Sequence, residues 1–411
     1  MLRTEVVSAS EHFREASRLL ASVRDIVDER PEGVAPPSWC EARGWTAFLE
    51  AMPDDAVAAA SRDGLAAHLD GLPGAPADLV ALSHAVTRWT SLPAMPAASA
   101  EAVDGRRASP RKRVQVAAFA AMVGRVGAKG SRVVDVGSGH GHLTRHLASA
   151  LGVDAEGWER DPDRVAVASS LAGEGGARFV AMDARDPAAT LRSTDLVVGL
   201  HACGGLGDHA VRAAGAAGAA VALVGCCLQK REGDREALVV PAGMSARELT
   251  IGRAVLGLGN ACDGEEGVEE AFAVRAASRV NRMALRSTLL AAGQAVGPGE
   301  EMRGVNRRQA TGPLTALVER AFVARGLLPP PAEAVEAAAR SAAEAYERAR
   351  RWALPRAMLA RLVEVWVALD RAAWLRSLGY EAEVLVAFEA SVSPRNVAVL
   401  GWRDYGRARP R

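Results

Sequence analysis

Val133-Val134-Asp135-Val136-Gly137-Ser138-Gly139-His140-Gly141-His142-Leu143 is the stretch that decides the fold. The run Val133–Val136 reads as a buried strand carrying an acid near its end. Three glycines then alternate before the periodic apolar run 141–151, which predicts a helix. Alternating glycines permit a tight turn and close approach of backbone to a ligand. The first turn of the following helix offers free N–H groups. The spacing is G-x-G-x-G, not the G-x-G-x-x-G of dinucleotide sites. An acid at the strand end would crowd an anionic pyrophosphate and suits a cationic ligand that carries an amino acid. S-adenosylmethionine, with its sulfonium and ammonium groups, is such a ligand. Asp135, Gly137, Ser138, Gly139 and Gly141 are therefore the first candidate cofactor contacts.

Working outward, short β-rich runs alternate with helical patterns. The predicted strands are 133–136, 155–158, 178–181, 196–200 and 219–224, with helices expected at 141–151 and 162–171. That alternation predicts a mostly parallel sheet covered on both faces. Two further strands, 383–390 and 397–402, flank a turn containing Ser393, Pro394, Arg395 and Asn396, and they are expected to join the same sheet as an antiparallel pair. The fold class is thus α/β: a Rossmann-like sheet with a helical N-terminal region and a helical insertion before the last two strands. The expected divisions are a helical region at 1–107, a cofactor-binding domain at 108–244, a helical insertion at 245–380 and a closing strand pair at 381–411. Within the first region Ser10 is expected to cap a helix, and the Pro- and Ala-rich segment 92–100 reads as a linker or loop.

In open α/β sheets, ligands gather beyond the carboxyl ends of the strands. By that rule the residues closing each strand are candidate ligand contacts. Glu159 closes the second strand, 24 residues after Asp135, and suits the ribose hydroxyls. Asp183 and Ala184 follow the third strand and are candidates for the adenine edge; the alternative for Asp183 is a turn-forming role ahead of Pro187. The fourth strand runs into His201-Ala202-Cys203-Gly204. His201 and Cys203 are the candidate catalytic residues. His201 is expected at the cofactor as well, positioning the acceptor or serving as base, and Cys203 as a small packed neighbour rather than a nucleophile. The fifth strand ends in Gly225-Cys226-Cys227. No C-x-x-C spacing accompanies these cysteines, so no metal site is expected.

Composition limits the remaining choices. The chain has 411 residues, 50 basic and 49 acidic, for a net charge of +1. Such a balance excludes a global electrostatic pull on nucleic acid but not a local one. Five cysteines, Cys40, Cys203, Cys226, Cys227 and Cys262, at irregular spacing do not read as a disulfide framework and fit a reducing, cytoplasmic setting. No secretory leader and no membrane span are expected. Basic clusters stand out locally: Arg106, Arg107, Arg111, Lys112 and Arg113 before the glycine-loop strand, then Arg275, Arg279, Arg282 and Arg286 at helical spacing, then Arg303, Arg307 and Arg308. They are candidate RNA phosphate contacts. The alternative is solvated helix faces.

The segments 135–143, Glu159, His201-Ala202-Cys203-Gly204 and Gly225-Cys226-Cys227 together resemble the eukaryotic methyltransferase-like family that includes the ribosomal RNA adenine dimethylase domain-containing protein. Ser109-Pro110-Arg111-Lys112-Arg113 and the Ser393-Pro394-Arg395-Asn396 turn support the likeness. More distantly the chain resembles the transfer-RNA 2′-O-methyltransferase carrying CHHC zinc fingers, although it lacks those fingers. Gln115 stands where relatives of the first family carry an acid. The resemblance implies a class I S-adenosylmethionine-dependent methyltransferase with cofactor contacts at Gly137, Gly139, Gly141 and Glu159.

Methyl transfer from a sulfonium is an in-line displacement with a good leaving group, so positioning dominates and no catalytic triad is required. The Asn/Asp-Pro-Pro-aromatic signature of enzymes acting on exocyclic amines is missing after the fourth strand. RNA is the favoured acceptor class. A small molecule, a protein, or a non-enzymatic cofactor-binding role are the alternatives.

Overall fold

The computed structural model describes residues 8–99, 103, 108–126, 132–173, 175–261 and 268–403. Two compact units account for the chain. One comprises residues 1–24, 84–264 and 359–411, and the other 25–83 and 265–358. The expected helical block 245–380 is thus divided: its middle clusters with the early helices, and its last helix serves the sheet.

The first unit is built on a seven-stranded sheet. Its strands are β1 (Val133–Val136), β2 (Ala155–Glu159), β3 (Ala177–Ala181), β4 (Leu196–Leu200), β5 (Ala220–Val224), β6 (Glu381–Val386) and β7 (Val397–Trp402), in the order β3-β2-β1-β4-β5-β7-β6. β1 to β5 run parallel, and β7 pairs antiparallel with both β5 and β6. The class I, Rossmann-like α/β architecture expected from the strand pattern is present. The order reverses between β1 and β4, which places a crevice beyond their carboxyl ends.

The central strands are apolar because both faces are covered: every residue of β1, β2 and β4 is buried. The helix Pro110–Val123 buries Val116, Phe119, Met122 and Val123 in one core with Val133, Leu147 and Val198. At roughly 25 cal/mol per Å² of apolar surface removed from water, each such side chain contributes on the order of 1.5–3 kcal/mol. The helix Ala360–Ser377 packs on β6 and β7, and Gly401 allows it to approach closely. A Cβ there would lie 2.7 Å from Leu375 Cδ1. Trp366 of the same helix donates from Nε1 to Ser17 Oγ of helix Ala9–Ser22 at 3.0 Å.

Two expectations need correction. Ser8, not Ser10, caps the first helix, its hydroxyl accepting from Glu11 N at 3.2 Å, while Ser10 already lies within the first turn. β6 ends at Val386, four residues short of the expected end. There Ala387 N donates to Asn396 O at 2.8 Å and the chain turns away from the ladder. The segment read as a linker or loop is irregular over 92–99 and touches the end of β6: Val386 N donates to Pro93 O at 2.8 Å, and Met95 N to Val386 O at 2.9 Å.

The amino ends of the strands are held by ions. Arg132 pairs with Asp195 at 2.7 Å and Glu156 at 3.1 Å, and Glu156 also takes Arg178. Among the described residues no helix is long and apolar enough to cross a membrane.

In the second unit, Leu285, Leu289, Leu317, Phe322 and Val335 form a separate apolar core. Two arginines of the expected phosphate-tracking stripe are engaged there by carboxylates. Arg282 lies 2.6 Å from Glu301, and Arg286 lies 2.7 Å from Glu32.

Candidate active site

The glycine turn after β1 is shaped by backbone conformations that side chains resist. Gly137, Gly139 and Gly141 have φ of +73°, +57° and +73°. A Cβ on Gly139 would meet nothing within 4 Å, whereas one on Gly141 would lie 2.2 Å from Phe179 Cζ of β3. Gly157 of β2 keeps space for the same ring and for Ser138: its Cβ would lie 2.5 Å from Phe179 Cδ1 and 2.7 Å from Ser138 Oγ. Sequence reading missed Phe179 and Gly157. Their signal, a glycine inside a strand opposite an aromatic, emerges only from the pairing of Gly157 with Phe179.

Glu159 reaches back across the carboxyl end of β2. Its Oε2 accepts from Gly139 N and its Oε1 from Asp161 N, each at 3.1 Å. The side chain is buried yet each oxygen keeps a second lone pair. Asp135 lies beneath the turn with Oδ2 accepting from Thr144 Oγ1 at 2.7 Å. Burial pushes its carboxyl up to about 6, against the opposing pull of Thr144 and Lys112, while Glu159 adds to the rise. Ser138 Oγ is buried with no partner among the described residues.

A cofactor of the expected kind fits these residues. The turn is free of side chains at Gly139, an acid stands at each of two strand ends, and the Ser138 hydroxyl has no partner among the described residues. Asp183 follows β3, but its carboxylate is engaged by Arg185 at 2.8 Å and by Arg185 N at 3.0 Å. Those bonds hold it down at about 2. Its neighbour Ala184 is buried.

Beyond β4, His201 has φ +87°. For a non-glycine residue such a backbone costs on the order of 1–3 kcal/mol, which surrounding structure must offset. His201 N donates to Val224 O at 3.0 Å, and Nε2 lies 3.2 Å from Gln115 Oε1. Burial is the first cause that pushes the imidazole down to about 4, followed by Lys112, Arg111, Arg395 and Lys230. The ring is therefore neutral near pH 7, and with Nε2–H donating to Gln115, Nδ1 keeps its lone pair.

Lys112 and Arg111 belong to the first turn of helix Pro110–Val123, where the Ser109 side chain accepts from Lys112 N at 3.2 Å. Lys112 is largely buried and feels Asp135 and Cys226, whose attraction partly offsets the depression of its ammonium by burial. Arg395 comes from the turn between β6 and β7, and Lys230 from the loop after β5. Arg113 is half-buried, and its Nε has no partner among the described residues. Arg106 and Arg107 lie outside the described residues.

The cysteines at the ends of β4 and β5 meet. Cys203 Sγ lies 2.8 Å from Cys226 Sγ, which lies 3.7 Å from Cys227 Sγ. Cys226 S–H and Cys227 N–H donate to Cys203 and hold its thiol low, while Cys226 is pushed up in turn.

Under this loop sits a buried ion cluster that sequence reading did not anticipate. Asp208 takes Arg371 at 2.9 Å, Arg235 at 3.2 Å and Arg231 at 2.8 Å, and Arg235 also reaches Asp370 at 2.7 Å. Asp370 further accepts from Leu238 N and Val239 N. The Arg371 guanidinium fills the space left by Gly207, whose Cβ would lie 2.7 Å from Nη2. The turn carrying His201 and Cys203 thus rests on a fixed charge platform.

An open sheet with one antiparallel strand near its edge, a G-x-G-x-G turn and an acid closing β2 defines a methyltransferase domain of the S-adenosylmethionine-dependent, class I type. Residues 111–232 match the family described as a methyltransferase domain. Among solved structures, the chain is similar to several methyltransferases. The transfer-RNA (uracil-54, C5)-methyltransferase of Pyrococcus abyssi matches at 19% identity over 28% of this chain and 29% of that one, with a TM-score of 0.24. A TehB-like methyltransferase of Corynebacterium glutamicum matches at 20% identity over 26% of this chain and 60% of that one, with a TM-score of 0.22. The magnesium protoporphyrin IX methyltransferase of Synechocystis matches at 24% identity over 29% of this chain and 61% of that one, with a TM-score of 0.23. The chain spans less than two thirds of the length of each.

Proposed function

We propose that this chain transfers the methyl group of S-adenosylmethionine to RNA. The observation that carries the acceptor class is the convergence of Arg111, Lys112, Lys230 and Arg395 on His201. Three of these cations come from the segments that prompted the family resemblance, Arg111 and Lys112 from Ser109–Arg113 and Arg395 from Ser393–Asn396, which are far apart in sequence. Positive charge gathered from separate segments near a strand end attracts a polyanion, with an affinity that falls steeply with salt. The same meeting of His201, Cys203 and the Cys226-Cys227 pair supports kinship with the family of the ribosomal RNA adenine dimethylase domain-containing protein.

In this reading Gly137, Gly139 and Gly141 give the cofactor its close backbone approach and Ser138 contributes its hydroxyl. Glu159 accepts from the ribose, Asp183 and Ala184 border the adenine, and Asp135 lends negative charge beneath the turn. When bound, the cofactor supplies a sulfonium-activated methyl group for in-line displacement. The chain's own part is orientation, which is worth about 7–11 kcal/mol in well-aligned systems. His201, neutral and fixed by Gln115, positions the acceptor through Nδ1, and Cys203 packs beside it. Cofactor binding is assigned to 108–244 with 381–411.

The test is transfer of tritiated methyl from the cofactor into a fractionated extract, comparing the native chain with Gly139→Arg. Label entering RNA only with the native chain supports the proposal. Label confined to protein or small molecules rejects the acceptor class, and no difference between the two rejects the activity. Arg111→Glu with Arg395→Glu should weaken RNA binding and flatten its salt dependence while cofactor affinity holds.

A further inference from the structure

From the three thiols at the ends of β4 and β5 we infer a binding site for one soft divalent ion of the zinc class, held by Cys203, Cys226 and Cys227. Their sulfur atoms all lie within 4.8 Å of one another, and no His, Asp or Glu among the described residues joins the group. Zinc–thiolate bonds of 2.3 Å in tetrahedral geometry set the sulfurs about 3.8 Å apart. Cys226 and Cys227 already stand at 3.7 Å, while Cys203 and Cys226, at 2.8 Å, need to part by about 1 Å. All three residues are half-buried, so their side chains have room to turn and solvent can supply a fourth ligand. Three protein ligands with an exogenous fourth is the arrangement of an open zinc site rather than a closed structural one.

The sequence concealed this site because the ligands follow no C-x-x-C spacing. Two are adjacent at the end of one strand, and the third comes from the strand beside it, brought near by the parallel pairing of Leu200 with Val224. Charge favours the same assignment. Three thiolates around a divalent ion carry a net charge of −1. Lys230 faces Cys203 and Lys112 faces Cys226, so the loaded site is compensated by cations already in place. A disulfide between Cys203 and Cys226 would engage only two of the three thiols and leave the third beside it unexplained.

The experiment uses the full chain, reduced, stripped with a chelator and titrated with zinc against a chromophoric competitor, then with cobalt. The expected result is one ion per chain, with a thiolate-to-cobalt charge-transfer band sized for three sulfurs. Cys203→Ser, Cys226→Ser and Cys227→Ser should each weaken zinc binding by more than the roughly 10–100-fold that a supporting residue costs, while Cys40→Ala leaves it intact. Melting of each serine variant without metal separates loss of the ion from loss of the fold. Failure of the reduced native chain to hold zinc against the competitor overturns the inference. So does binding that survives Cys203→Ser, or a mass two hydrogens lower with Cys203 joined to Cys226 in a chain that takes no metal.

Discussion

Replacing Glu159 by Ala tests the centre of the site. The carboxylate accepts from Gly139 N and Asp161 N, each at 3.1 Å, so it is oriented before any ligand arrives. Hydrogen bonds to a charged group are worth about 1.5–3 kcal/mol, and a buried donor left without its acceptor costs about 1–3 kcal/mol. Two effects are therefore expected from Glu159→Ala. The sheet unit loses about 2 kcal/mol as the turn slackens, which for a domain of this size lowers melting by about 4–8 °C. Cofactor affinity falls by about 1–3 kcal/mol, or roughly 5–150-fold. Calorimetry with the cofactor and with its 2′,3′-dideoxy analogue separates a sugar contact from a slack turn. The native chain should discriminate between the two ligands, and the variant should not. An affinity loss equal for both ligands refutes the ribose contact, and an unchanged affinity for both refutes any role for Glu159 at the cofactor.

The other predictions concern what supports the site. Gly141→Ala should destabilise the unit by about 1–2 kcal/mol through its positive φ, plus about 1–3 kcal/mol through collision with Phe179, and Phe179→Leu should recover only the second part in denaturant melts. Asp208→Ala strands Arg235 and Arg371 in the core and should cost about 3–5 kcal/mol of unfolding free energy; a cost below 1 kcal/mol would deny the platform its role. Asp208 and Asp135 should respond oppositely to pH. The arginines around Asp208 hold its carboxyl well below the ordinary range, so the stability it contributes is complete above about pH 4 and is lost as pH falls through its folded value. Asp208→Asn should therefore unfold with a shallower acid limb than the native chain. Asp135 is raised to about 6, so its ionisation costs the folded state about 3 kcal/mol as pH rises from 4 to 7. Asp135→Asn should accordingly gain on the native chain over that interval in chemical denaturation, and a constant difference would contradict the burial argument.

The parallel strands were legible because their runs are short, apolar throughout and bounded by glycine, which is how a strand covered on both faces must read. The turn at 137–141 was legible because positive φ at alternate positions leaves few options other than glycine. What escaped reading depends on long-range meeting. Asp208, Arg235, Asp370 and Arg371 lie far apart in the chain, and each alone reads as a surface charge; burial makes them a unit. The pairing of Asp183 with Arg185 of its own turn was likewise not named by the sequence. The clustering of 25–83 with 265–358 was hidden because Ala-rich amphipathic helices show a period but no partner. Lys112 looked like one of a basic run, and only the helix geometry separates it from Arg111 by turning it inward.

The place of β7 has a consequence for synthesis. β5 remains an open edge until β7 arrives to lie between it and β6, roughly 170 residues later, a wait of roughly 9–34 s at 5–20 residues per second. For that interval the nascent chain displays Ala-Val-Ala-Leu-Val with its backbone hydrogen-bonding groups unspent, the kind of edge that recruits a stranger's strand. Any shortened product ending before Val397 would keep that edge indefinitely, so the most distant strand in the chain decides whether its centre stays out of aggregates.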